Sequence, residues 1–234
     1  VYAEGVNGDV GDLVVWEEEQ GVVPLLPEPG FFLRWSLSPD GDKLAAVLEA
    51  PGGQELRVYD LAGGFPRPFW ASDEFLNEPC WMPDGETLIF GTTDRAHGTW
   101  TLLRGRSTST LPPDTLFQGT GTFGYDIRSC TDQRHIIGSS YGSTNHIVAI
   151  DLSGASPSLD TIVPNGVFGA LSPDGERLAY APDELDGFAV APFPDLNMET
   201  PVALQRAEPS WISSTELAYW RAGGDFFRLS LDPA

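Results

Sequence analysis

The chain has 234 residues, 41% of them hydrophobic, and carries 34 Asp and Glu against 13 Lys and Arg, a formal net charge of −21. That charge excludes nucleic acid and anionic membrane surfaces as partners, because phosphate binding needs a basic footprint. No stretch approaches the roughly 18 consecutive apolar residues of a spanning helix, and two cysteines, Cys80 and Cys130, are too few for a disulfide scaffold or a cysteine-rich zinc site.

The 26 Gly and 20 Pro interrupt any helical periodicity. Short runs of Val, Ile, Leu, Phe, Tyr and Trp lie between turn clusters, which predicts an all-β chain. In chain order, "VYAEG" from Val1, "LVVWEE" from Leu13 and "VVPLLP" from Val22 read as the end of a second strand, a third strand and a fourth strand. A full unit follows. "LSPDGDKLAAVL" from Leu37 contains the turn Pro39-Asp40-Gly41, in which proline presets φ, aspartate accepts backbone hydrogen bonds and glycine takes the positive φ. Leu44 to Leu48 is its next strand, "ELRVYDL" the third, and "AGGFPRPFW" leads into the fourth.

The pattern recurs as "WMPDGETLIFGT" from Trp81, "SCTDQRHIIGSS" from Ser129, "LSPDGERLAYAP" from Leu171 and a shortened "WISSTELAYW" from Trp211. The matching third strands start at Thr99, His146, Phe188 and Phe226. The turn residues Asp40, Asp84, Asp132 and Asp174 lie 44, 48 and 42 residues apart, and Ser213 stands in for the next one, 39 further on. A period of roughly 40–45 residues built from short strands is that of propeller blades. The expectation is one β-propeller domain over residues 1–234, of about six blades, four complete and two partial.

Several motifs invite a chemical reading. "GSSYG", Gly138 to Gly142, fits the G-x-S-x-G nucleophile elbow with Ser140 as nucleophile, but an elbow needs a helix after it. Here a strand lies on each side, and the segment aligns with the hairpin loops of the other units. The three histidines, His97, His135 and His146, show no paired metal-ligand spacing. Asp183, Glu184 and Asp186 form a weak calcium candidate against a solvated acidic loop. Trp35, Trp81 and Trp211 on first strands, with Trp16 and Trp100 on third strands, read as packing between blades. The remaining constellation comes from counting six residues back from each turn marker, which gives Arg34, Glu78, Asp126, Phe168 and, after the deletion, Glu208, with Tyr125 beside them. First strands line a propeller's channel, so these residues form the candidate partner-binding ring at a channel mouth.

"SPDGDKLAAV…ELRVYDLAGG", "WMPDGETLIF" and "SPDGERLAYA" resemble the TolB-like, WD-like propeller repeat, over nearly the whole chain. The opening "DLVVWEEEQGVVPLLPEPGFFLRWSLSPDG" is similar to segments of bacterial proteins in which a Ser/Thr kinase domain and a membrane helix precede such a propeller. The resemblance implies an extracytoplasmic, non-catalytic interaction or sensor domain with a protein or peptide partner and no cofactor. The alternative it leaves open is the substrate-gating propeller of a prolyl-oligopeptidase-like hydrolase.

Overall fold

The middle strand of each unit is apolar on both faces, so it must be covered on both sides. The computed structural model describes residues 2–4, 12–17, 21–120, 125–132, 134–140, 144–183, 187–197, 200–202, 208–220 and 226–231, none of them helical. Each sequence repeat folds into one small antiparallel sheet whose strands follow chain order. The first sheet has three strands, β1 (Tyr2–Glu4), β2 (Asp12–Glu17) and β3 (Gly21–Pro24). The second has β4 (Phe32–Leu37), β5 (Lys43–Ala50), β6 (Gly53–Asp60) and β7 (Arg67–Ser72). In the third the first strand is broken into β8 (Phe75–Leu76) and β9 (Cys80–Trp81), which both pair with β10 (Thr87–Asp94); β11 (Thr99–Arg106) and β12 (Asp114–Thr120) complete it. The fourth holds β13 (Tyr125–Ser129), β14 (His135–Ser140), β15 (His146–Asp151) and β16 (Ser158–Pro164). The fifth holds β17 (Gly166–Leu171), β18 (Arg177–Pro182), β19 (Phe188–Pro192) and β20 (Thr200–Val202), and the last β21 (Glu208–Ser213), β22 (Glu216–Trp220) and β23 (Phe226–Ser230). This is the β-propeller that the repeat predicts. The chain divides into two compact units, Val1–Gly121 and Thr122–Ala234, with three sheets each.

Side chains alternate along a strand, and the cores follow that alternation. In the first unit, Leu44, Ala46 and Leu48 of β5 pack with Leu13 of β2, while Ala45 and Val47 face Leu88 and Phe90 of β10. In the second unit, Leu178 and Tyr180 of β18 join Ile137 and Ile147, while Ala179 and Ala181 join Leu217 and Tyr219. A strand buried on both faces reads as a continuous apolar run.

The turns act as predicted. Gly41, Gly85 and Gly175 have φ of 78°, 63° and 76°. A carboxylate oxygen of each turn Asp accepts the N–H two residues on: Asp42, Glu86, Arg134 and Glu176. Ser213 substitutes for Asp in the last sheet, its Oγ accepting the Thr215 N–H at 3.3 Å. Neighbouring turns also touch. Lys43 Nζ, the only lysine amine, donates to the Gly85 carbonyl at 3.0 Å. The tryptophans link consecutive sheets: Trp81 Nε1 donates to the Ser36 carbonyl at 3.0 Å and Trp211 Nε1 to the Ala170 carbonyl at 2.8 Å.

One sequence expectation needs correcting. β14 runs through Ser140, so the first half of "GSSYG" is strand, not loop. Ser139 and Ser140 continue the ladder opposite Asp126 and Tyr125 on one side, and Ile147 and His146 on the other. The β-branched apolar run Ile136–Ile137 carries the strand through Gly138 into Ser139 and Ser140.

Candidate functional site

All five marker-derived residues lie on or beside the first strands of successive sheets. In the first unit Arg34 is half-buried on β4, and Glu78 is half-buried between β8 and β9. The Arg34 guanidinium carbon lies 4.2 Å from the centre of the Phe75 ring on β8, and that of Arg95 lies 4.2 Å from the same ring. A guanidinium over an aromatic face is attracted by the ring quadrupole, so Phe75 holds two of the thirteen cations of a very acidic chain. Phe75 was not singled out from the sequence. A signal for it exists: nine residues before three of the turn markers stand Phe31, Phe75 and Phe123.

In the second unit, Tyr125 and Asp126 open β13 and Glu208 opens β21; the side chains of these three lie outside the described residues. Phe168 sits in a bulge of β17, between the Val167 and Ala170 pairings, with φ of 61°. A left-handed conformation is rare and costly for an aromatic residue. The fully buried Ser139 holds it there, with its Oγ accepting the Phe168 N–H at 3.1 Å. Gly169 completes the bulge, since a Cβ there would stand 2.7 Å from Ile147 Cγ2.

Ser140 is 6% exposed. His146 lies opposite it on β15, but its Nε2 is 2.9 Å from Thr144 Oγ1 and its buried Nδ1 has no hydrogen-bond partner. The pair makes no Ser–His hydrogen bond. His97 and His135 sit against the carboxylates of Asp94 and Asp132, three residues earlier. Of the calcium candidate, Asp183 is exposed, whereas Glu184 and Asp186 lie outside the described residues. Among the described residues no group of three or more His, Cys, Asp or Glu is placed to hold a metal ion. Cys80 and Cys130 are both buried. Among the described residues no helix is long and apolar enough to cross a membrane.

A cleft of about 590 Å³ also lies in the first unit, lined by Trp70 and Ser72 of β7, Thr92 of β10, Thr101 and Leu103 of β11 and Thr115 of β12. The indole Nε1 of Trp70 is buried without a hydrogen-bond partner.

No protein-family model matches the sequence. No curated protein matches it either. Solved structures do. TolB from Acinetobacter baumannii is similar over 91% of this chain and 55% of its own length, at 20% identity and a TM-score of 0.71. A puromycin-hydrolysing peptidase of Mycobacterium tuberculosis matches 90% of this chain with 39% of its own, at 19% identity and a TM-score of 0.62. Prolyl oligopeptidase B of Galerina marginata matches 92% with 34%, at 11% identity and a TM-score of 0.66. The chain therefore spans about half the length of that TolB and a smaller share of the two peptidases. Repeat, turns, sheets and structural likeness agree that this chain has the fold of a TolB-like β-propeller.

Proposed function

We propose that the chain is one non-catalytic propeller domain that recognises a protein or peptide partner through its first-strand residues, in an extracytoplasmic setting. The observation that carries this reading is the strained Phe168. A buried serine hydroxyl keeps an aromatic residue at φ 61° on the strand that carries the marker-derived position, and retained backbone strain clusters at binding sites. Arg34, Glu78, Asp126 and Glu208 occupy related positions of other sheets and supply charge for specificity. Rigid small sheets bearing unlike side chains at one repeat position suit recognition. Phosphate-rich partners are disfavoured by the net charge.

The test is affinity capture from the native source with the chain as bait. The expected outcome is a defined partner whose capture is lost with Arg34→Ala, Glu78→Ala and Asp126→Ala in combination. Equal capture by wild type and the triple variant would overturn the reading. The second reading, a gating propeller for a peptidase, is favoured by the likeness to prolyl oligopeptidase B across 92% of this chain. A hydrolase domain encoded next to this segment in the gene would decide for it.

A further inference from the structure

The apolar layer between the second and third sheets joins Leu56 and Trp70 to Phe90 and Leu103, with the Trp70 and Phe90 ring centres 6.3 Å apart. Two residues away along each strand, on the same faces, stand the cross-strand pairs Gln54–Ser72 and Thr92–Thr101. Three of these four are short hydroxyl side chains, and the cleft of about 590 Å³ opens where they replace the apolar residues. Small-ligand sites span roughly 300–1,000 Å³. The walls carry donors that the fold does not use. Trp70 Nε1 is buried without a partner. Ser72 Oγ accepts the Glu74 N–H at 3.0 Å, and Thr101 Oγ1 accepts the Gln118 side-chain amide at 3.3 Å, so neither hydroxyl spends its proton in these bonds. Thr92 is only 5% exposed, and its hydroxyl forms no hydrogen bond among the described residues. Buried polar groups normally find partners. Asp73 and Glu74, at one end, are the only charged residues of the lining.

We propose that this cleft, apart from the first-strand residues, is a binding site for a neutral saccharide of disaccharide size. Donors and acceptors select the ligand together. An anion would take the unused donors, but Asp73, Glu74 and a net charge of −21 repel it. A cation would meet the two carboxylates and leave the donors unpaired. Sugar hydroxyls both accept and donate. They accept from Trp70 Nε1, Thr92 and Thr101, and they donate to Asp73 and Glu74. The indole of Trp70 offers an apolar wall to the C–H side of the ring, with its polar edge supplying the donor.

Titration of the chain with maltose, cellobiose, lactose and mannobiose, followed in proton–nitrogen correlation spectra, tests this. The Trp70 indole signal is identified by its loss in Trp70→Phe. The expected result is saturable binding of at least one of these sugars, with shifts of the Trp70 indole N–H and of the Ser72 and Thr101 amides. Thr92→Val and Thr101→Val each remove one hydroxyl with little change of shape, and each should weaken binding about three- to tenfold. Thr101 is half-exposed, so its substitution spares the core if the buried one does not, and circular dichroism shows which variants fold. No saturable shift with any of the four sugars would overturn the proposal. So would undiminished affinity in a folded threonine variant, or shifts of the same signals by trialanine in place of the sugars.

Discussion

Ser139 and Ser140 are chemically identical neighbours with unlike surroundings, because successive side chains of a strand point to opposite faces. Ser139 reaches the next sheet and holds the Phe168 N–H. Ser140 faces His146 across the ladder without bonding it. Ser139→Ala strands a backbone donor and should cost about 1–3 kcal/mol in thermal or urea unfolding. Ser140→Ala should leave partner capture unchanged, and Ser140 should form no adduct with a fluorophosphonate probe, read by intact mass. The turn aspartates make a second argument at this scale. The Ser38 hydroxyl and the Asp42 N–H hold the Asp40 carboxyl below its ordinary 3.8. Likewise the Arg134 guanidinium, with Ser153, depresses Asp151 well below the usual range. A carboxylate lowered in the folded state stabilises the fold above its unfolded titration range, and that contribution is lost as pH falls through the folded value. The stability gap between wild type and Asp40→Asn should therefore be constant above about pH 4 and shrink below it, as measured by unfolding at each pH.

At the scale of elements, the strand order, the middle strands and the turns are legible in the sequence. Pro-Asp-Gly triplets fix where hairpins reverse, and apolar runs fix what lies between them. The broken first strand of the third sheet was not legible, because β8 and β9 are two residues each, shorter than any periodicity. The bulge at Phe168 was also hidden: nothing in "GVFGAL" announces a left-handed phenylalanine, whose conformation depends on a hydroxyl 29 residues away. The β5–β6 hairpin shows how a local backbone demand constrains sequence. Gly53 has φ of 150°, and a Cβ there would stand 2.1 Å from the Ser72 carbonyl oxygen. Gly53→Ala should destabilise the fold by more than about 1 kcal/mol, visible as a lower denaturation midpoint. The candidate ring was readable only as positions. Counting back from the turn markers lands on or beside first strands, while Phe75, which carries the Arg34 and Arg95 contacts, lay outside that count.

At the scale of the whole molecule, charge is the dominant feature. With 34 acids against 13 cations, the fold carries uncompensated repulsion, which added salt screens. The thermal midpoint should therefore rise with sodium chloride, and scanning calorimetry across a salt series checks this; a falling midpoint would contradict it. Composition, repeat and turn chemistry by themselves determined an all-β propeller of small sheets, four complete and two partial, because those features act locally and recur at a fixed period. Tertiary structure alone decided that Ser139 rather than Ser140 is the serine that holds another sheet, that Phe168 is strained, and that Phe75 gathers two arginines. Each of these depends on which groups meet across sheets far apart in sequence, and a one-dimensional pattern does not encode those distances.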